Sequence, residues 1–142
     1  MKSVTLYRIA AVILVLFAAG HTFGFLTFRP ATVEGRAVWD AMNHVGLPVG
    51  GNSFTYGGFY TAFGLDISMY LAFSAFLAWH LSLQALRAPQ SIGALGWGFV
   101  VLQTGGLMLS WIYFGAVQVA FGAVVAVCLG WATFALPKTP HG

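Results

Sequence analysis

Among the ionisable residues inside the long apolar segments of this sequence, two are the strongest candidates for chemistry. His21 falls in the first apolar segment and Asp66 in the second. An ionisable group within a membrane-spanning helix is costly unless it faces a cavity or a partner, so each marks a candidate site. A carboxylate in a low-dielectric setting is hard to ionise, and a nearby imidazole can take its proton and restore a charge pair. Such a pair can act as general acid and base near neutral pH.

Helical geometry places His21 and Asp66 at one depth. Each lies about seven residues from the outer end of its predicted span, which is roughly 10 Å at about 1.5 Å per residue. The two spans run antiparallel, so the side chains could meet. We therefore predict that His21 and Asp66 form a catalytic, proton-handling pair in a polar pocket that opens towards the outer leaflet.

Other polar and aromatic side chains are predicted to bind or orient a substrate in this pocket. They are Tyr56, Tyr60, Gln103, Trp111, Tyr113 and Gln118, together with Asp40 and His44 of the first loop. Asp40 and His44 are spaced i, i+4 and so share one helix face. The expected substrate is a lipophilic small molecule that enters from the lipid bilayer. The reactions that fit are double-bond isomerisation, cyclisation, hydration or epoxide opening.

Each of these residues also has a structural interpretation. A hydrogen bond between Asp66 and His21 could simply fix the register of two helices, and Asp40 and His44 could be solvated loop residues. The tyrosines and Trp111 could belong to the aromatic belts at the membrane interfaces. The alternative function is that of a non-enzymatic membrane protein, either a proton-linked carrier or a partner subunit in a membrane complex.

The sequence predicts no metal and no cofactor. A zinc site needs three or four ligands, and the intramembrane pair reaches that number only if Asp40 and His44 of the loop fold inward. Haem ligation by two histidines needs matched depth, which His21 and His80 lack. The chain contains no Cys-x-x-Cys, phosphate loop, dinucleotide fingerprint or serine-nucleophile motif.

The composition places these residues in a membrane protein. Of the 142 residues, 59% are hydrophobic and only 6% are Asp, Glu, Lys or Arg, whereas soluble domains carry about 25% charged residues. The excess apolar surface must face lipid. The 6 basic residues are scattered along an apolar chain and form no electrostatic footprint for nucleic acid. The lone Cys128 cannot form an internal disulfide.

Four apolar stretches are long enough to cross a bilayer, which takes roughly 20 residues per helix. We predict an all-α fold, a single-domain bundle of four transmembrane helices over residues 1–142. The predicted spans are about 5–28, 59–86, 92–114 and 117–136. The first span is predicted to be retained rather than cleaved as a signal peptide, because its apolar run continues to Phe28.

Residues 29–58 form a lid-like first loop between the first two spans. Within it, segment 33–45 has apolar residues at a period of about 3.6 and is predicted to be an amphipathic helix. The glycine-rich segment 46–58 is predicted to be irregular. Small residues four apart, such as Gly20 and Gly24 in the first span, predict close helix contacts and an interface for a homo-oligomer.

The basic residues are distributed unevenly about the predicted membrane. Four fall on one side and two in the first loop: Lys2, Arg8, Arg87 and Lys138 against Arg29 and Arg36. The positive-inside rule then places both termini in the cytoplasm and the first loop outside.

Three segments carry a resemblance to a protein family. They read AAGHTFGF at 18–25, TYGGFYTAFGL at 55–65 and SWIYF at 110–114. They are similar to an uncharacterised family of small bacterial integral membrane proteins with four helices. The resemblance spans most of the chain and implies that architecture and a bacterial inner-membrane location, without implying an activity. In that family the second segment more usually reads Tyr-Trp-Asp-Phe-Tyr, with a carboxylate where this chain has Gly58, so Asp66 is a departure from the pattern.

Overall fold

The protein is an all-α helical bundle, as the sequence predicts. A computed structural model describes residues 2–49 and 52–137. Within them the helices are α1 (Lys2–Thr27), α2 (Val33–His44), α3 (Tyr56–Arg87), α4 (Gly93–Tyr113) and α5 (Ala116–Phe134). Between α2 and α3 lies an antiparallel pair of strands, β1 (Gly46–Val49) and β2 (Asn52–Thr55), and a 3-10 turn at Pro89–Ser91 joins α3 to α4.

Four of the helices, α1, α3, α4 and α5, are long and apolar enough to cross a membrane. Their ends agree with the predicted spans to within 3 residues. The 21 residues of α4 and the 19 of α5 are close to the roughly 20 that one span needs. The 32 residues of α3 exceed that length by about 12, or ~18 Å. No Asp, Glu, Lys or Arg occurs between Arg87 and Lys138 in the sequence; Lys138, used for the predicted orientation, lies outside the described residues.

The described residues divide into two compact units. The core unit contains residues 2–17 and 71–137, and the loop unit contains residues 18–49 and 52–70. Within the described residues, every fully buried hydrophobic side chain belongs to the core unit, Tyr7, Leu14 and Leu129 among them. The loop unit therefore has no buried hydrophobic core of its own among its described residues.

Small residues and two buried hydrogen bonds hold the core unit together. A Cβ on Gly96 would lie 2.9 Å from Thr133 Cγ2, so glycine allows α4 and α5 to approach closely. The Tyr7 hydroxyl is 2.9 Å from Thr133 Oγ1 and links α1 to α5. Gln103 Nε2 donates to Ser74 Oγ at 2.9 Å and links α4 to α3. These bonds satisfy polar groups that lipid could not satisfy.

The predicted amphipathic helix of the first loop is confirmed as α2. Thr32 caps its start, where its Oγ1 accepts a hydrogen bond from the Gly35 N–H at 3.0 Å. Val33 and Val38 are 69% and 60% exposed, while Trp39 is partly buried. The apolar stripe of α2 is thus largely uncovered.

The prediction that segment 46–58 is irregular is wrong. β1 and β2 pair in antiparallel register, with Leu47 opposite Phe54 and Pro48 opposite Ser53. Glycine, proline and asparagine in this segment favour a loop, but the Gly-Gly pair at positions 50 and 51 also has the composition of a two-residue hairpin connection. The Gly-Gly pair, which favours a hairpin, is therefore a better guide here than the glycine content of the whole segment, which favours a loop.

Candidate functional site

The imidazole of His21 lies at the contact between α1 and α3 in the loop unit. Its Nδ1 atom is 3.1 Å from Ser68 Oγ. Its Nε2 atom makes no hydrogen bond within the described part of the chain. The ring is partly buried and stacks on Phe25, with the ring centroids 6.0 Å apart and the planes at 2°. One ring nitrogen is therefore held in place and the other is available.

Two hydroxyl groups support the His21 ring. Thr22 Oγ1 is 2.8 Å from Ser68 Oγ and 2.7 Å from the Ala18 carbonyl oxygen. Ser68 Oγ is in turn 3.3 Å from the Gly64 carbonyl oxygen. Because both hydroxyls reach the backbone carbonyl four residues earlier, their positions are set by the helices themselves. We term His21, Thr22 and Ser68 the polar cluster.

A row of aromatic rings runs from His21 to the first loop. The centroid distances are 5.4 Å from Phe25 to Tyr60, 6.2 Å from Tyr60 to Trp39 and 6.0 Å from Trp39 to Phe28. The last two pairs meet edge to face, an arrangement that the ring quadrupoles favour. This aromatic row (Phe25, Tyr60, Trp39 and Phe28) gives the polar cluster an apolar neighbour built from α1, α3, α2 and the start of the loop.

The aromatic row depends on glycine at position 64. A Cβ on Gly64 would overlap the ring of Phe25. We expect Gly64→Ala to displace that ring and to destabilise the protein by about 1–3 kcal/mol through overpacking, measured by thermal unfolding in detergent. Gly24→Ala is the control for helix propensity, since a Cβ on Gly24 meets nothing within 4 Å. Phe25→Leu should partly rescue Gly64→Ala; equal stability of the two alanine variants would contradict the close approach.

No hydrogen bond or ion pair joins Asp66 to His21 among the described residues, so the expected pair is not formed. Its side chain is exposed and makes no hydrogen bond or ion pair with any described residue. Ser68 occupies the place beside His21 that was expected for Asp66. Two residues advance a helix by only ~3 Å but turn the side-chain direction by about 200°. Asp66 and Ser68 therefore have similar heights on different faces of α3.

The other predicted site residues of the loop unit differ in their surroundings. Tyr60 belongs to the aromatic row and is 44% exposed. Tyr56, Asp40 and His44 are exposed. His44 Nδ1 is 2.7 Å from the backbone carbonyl oxygen of Asp40, so the i, i+4 spacing joins them through the backbone rather than through the carboxylate. The structure brings Tyr60 near His21 through Phe25 and shows no such link for the other three within the described residues.

The remaining four predicted site residues lie in the core unit. Gln103 is buried, and its amide is already used by Ser74. Trp111 and Tyr113 are 76% and 73% exposed, as expected of residues in an interfacial belt. Gln118 is partly buried near the start of α5. Of these residues, Gln103 therefore acts as an interhelical contact.

Sequence reasoning missed Ser68 and Thr22, although a signal for Ser68 was present. Gly57, Gly64, Leu71 and Ala78 recur every seven residues along α3, and all four are buried. A seven-residue repeat of small and apolar residues marks the face of a helix that packs against its neighbours. Ser68 lies four residues after Gly64 and therefore on that face, whereas Asp66 lies on a different face of α3.

The fold and the polar cluster define a class of protein: an all-α bundle with four helices long enough to span a membrane and a histidine–hydroxyl cluster between two of them. Within the described residues, no group of three or more His, Cys, Asp or Glu side chains is placed to hold a metal ion. None of the family models, curated proteins and solved structures compared with the chain matches it. The polar cluster is therefore the basis for assigning a function.

Proposed function

We propose that the protein is an integral membrane enzyme that moves a proton within a lipophilic small molecule, with His21 as its acid/base group. The observation that supports this most directly is the bond from Nδ1 to Ser68, which leaves Nε2 available. With the proton on Nδ1, Nε2 carries a lone pair and can act as a general base. Ser68 and Thr22 are then positioning residues that fix the ring.

The position of Asp66 favours double-bond isomerisation over the other reactions considered. Because Asp66 makes no hydrogen bond or ion pair with His21, one imidazole must both take and return the proton. Double-bond isomerisation needs only that: a C–H bond breaks, Nε2 holds the proton, the electron pair shifts across the double bond, and another carbon on the same face receives the proton. Cyclisation, hydration and epoxide opening are less suited because they need a separate acid. A carbonyl group next to the double bond would hold the developing negative charge.

The surface of the loop unit fits a lipophilic substrate. Within its described residues no hydrophobic side chain is fully buried, and Phe23 and Phe63 are 72% and 57% exposed. Exposed apolar surface is where a molecule that arrives from the bilayer would meet the protein. The membrane is proposed to be a bacterial inner membrane, as the family resemblance implies.

The proposed orientation places both termini in the cytoplasm. Lys2 begins α1 and Arg87 ends α3, so the two residues lie on the same side of the predicted membrane. Arg8 lies one to two turns from Lys2. Positive residues favour the cytoplasmic side. The first loop and the polar cluster then lie towards the outer leaflet.

Solvent exchange tests the enzyme proposal even while the substrate is unidentified. Membranes containing the protein are incubated in D2O with a total lipid extract of the native organism, and lipophilic species are analysed by mass spectrometry. The proton that Nε2 holds between the two steps can exchange with D2O before it is returned, so over repeated turnovers we expect one species to gain deuterium. Membranes that lack the protein should show no gain. If both membranes give the same isotope pattern and the same proportions of double-bond isomers, the protein does not carry out this reaction.

A second candidate function, that of a subunit in a membrane complex, is favoured by the exposed carboxylate of Asp66. It lies on the same side of α3 as Met69, which is 69% exposed. An ionisable group on such an apolar face is stable only where water or a partner covers it. A partner helix that supplies a hydrogen bond or a positive charge at this height would cover Asp66.

We expect Asp66→Asn to distinguish the two candidate functions. Deuterium incorporation should stay within about twofold of the wild-type level, because Asp66 does not contact the polar cluster and surface changes have small effects. A subunit contact through Asp66 would instead be weakened, and the detergent-solubilised particle would become smaller in size-exclusion chromatography. Glu34→Gln, which removes an exposed carboxylate from α2, is the matched control. Loss of exchange at unchanged particle size would contradict the separation of Asp66 from His21.

A further inference from the structure

A cavity of about 260 Å³ opens in the core unit, where α1 begins and where α3 and α5 end. Lys2, Ser3 and Val4 of α1 line it, together with Ala85 of α3 and residues 135–137 after α5. The cavity shares no residue with the polar cluster. Its lining combines one positive charge, one hydroxyl group and several apolar side chains.

Ser3 is a buried polar residue with no hydrogen-bond partner among the described residues. It is only 7% exposed, yet its hydroxyl makes no hydrogen bond within the described residues. Ser3 is one of the residues that line this cavity. A buried polar group of this kind normally has a partner. A ligand with a hydrogen-bonding group would supply it.

The charge that lines the cavity favours an anion. Lys2 lines it, and Arg8 and Arg87 lie in the same unit. All three Asp and Glu side chains of the sequence lie within residues 18–70 and thus outside the core unit. The positive charge of the core unit is therefore not balanced by any acidic residue of its own. The first turn of α1 adds backbone N–H groups without intrahelical partners, which also favour negative charge.

We propose that this cavity binds the phosphate group of an anionic phospholipid. Lys2 supplies the charge, and the Ser3 hydroxyl and the first-turn N–H groups supply hydrogen bonds. Val4, Ala85 and Leu136 contact the apolar part of the molecule beside its head group. The ends of membrane-spanning helices lie at head-group level, and basic pockets between such ends are where anionic lipids bind. Free phosphate shares the anionic chemistry but lacks the part that the apolar lining would contact.

The test compares three additives on the full-length protein purified in a neutral detergent. Phosphatidylglycerol, phosphatidylcholine or inorganic phosphate is added, and bound lipid is measured by native mass spectrometry together with the thermal midpoint. We expect retention of phosphatidylglycerol and a raised midpoint, with neither effect from phosphatidylcholine. Equal retention of both lipids would overturn the proposal. An equal effect of inorganic phosphate would also overturn it, because it would show an anion site that does not recognise lipid.

Three variants test the assignment of the site. Lys2→Gln should weaken phosphatidylglycerol binding about tenfold, the usual size of one lost charge-assisted contact, and Lys2→Arg should restore it. Ala135→Phe should block binding by filling the cavity while every charge is retained. Arg36→Gln, which removes a charge from α2 in the loop unit, should leave binding unchanged. If Arg36→Gln weakens binding as much as Lys2→Gln, or Ala135→Phe has no effect, the lipid does not occupy this cavity.

Discussion

His21→Asn is expected to lower deuterium incorporation at least about 100-fold, the typical lower bound for loss of a general base. The asparagine amide nitrogen can take the place of Nδ1 as the partner of Ser68 Oγ, so the link between α1 and α3 can be kept. Asparagine has no titratable atom where His21 carries Nε2. The measurement is isotope incorporation into the lipophilic species, with circular dichroism as the check on helical content.

Substitution of the hydroxyl partners distinguishes positioning from catalysis. Ser68→Ala frees Nδ1, so we expect a smaller loss than for His21→Asn, because the base remains but its orientation is no longer fixed. Thr22→Val tests the second hydroxyl in the same way, since Thr22 reaches the ring only through Ser68. If His21→Asn loses helical content together with exchange, His21 has a structural role and the enzyme proposal fails. If the variant keeps exchange, the proton is handled elsewhere.

Tyr7→Ala is expected to destabilise the protein by about 3–5 kcal/mol, the range for truncating a buried aromatic side chain. Tyr7 is 0% exposed and is among the largest fully buried side chains of the core unit. Its removal leaves a cavity that α1 and α5 can fill only in part. Tyr7→Phe keeps the ring and loses only the bond to Thr133, which still donates to the Leu129 carbonyl oxygen at 2.8 Å. Its cost should be about 0.6 kcal/mol, the average for such bonds inside membranes.

Thermal and denaturant unfolding in detergent measure both Tyr7 variants against the wild type. A large loss of unfolding free energy for Tyr7→Ala and a small loss for Tyr7→Phe would show that Tyr7 stabilises the protein mainly through the volume of its ring. Similar losses for the two variants would contradict this and assign it to the hydrogen bond with Thr133. Cys128→Ser is a useful reference in the same unit, because it changes a buried side chain of α5 with little change of volume.

The membrane-spanning helices could be predicted from the sequence because the local residue types determine where each helix begins and ends. An apolar run that must satisfy all backbone groups in lipid forms a helix, and its ends follow from charged or turn-forming residues such as Arg87 and Pro137. The helix at 33–44 was also predictable, since its apolar residues recur at the helical period. These features depend on local sequence and do not require that the neighbouring helices be identified.

The contacts of individual polar residues could not be predicted in the same way. The residue types show that His21 and Gln103 need partners within a bundle, but the partners, Ser68 and Ser74, lie on other helices and were identified only by the fold. Counting residues predicts the height of a side chain along the helix axis but not its direction around that axis. The prediction for Asp66 failed because its direction was not considered. The seven-residue spacing along α3 would have supplied the direction.

The uncharged stretch from residue 88 to residue 137 gives the insertion machinery no orientation signal of its own. Orientation in the bilayer is read from Lys and Arg beside a span, and α4 and α5 are joined by a two-residue connection with neither. The pair must therefore take its direction from Arg87 and Lys138, which flank it in the sequence, and from the helices that precede it during synthesis. Gly115→Arg would place a positive charge in the connection between α4 and α5. The orientation of the pair would then depend on whether that charge or Arg87 stays on the cytoplasmic side.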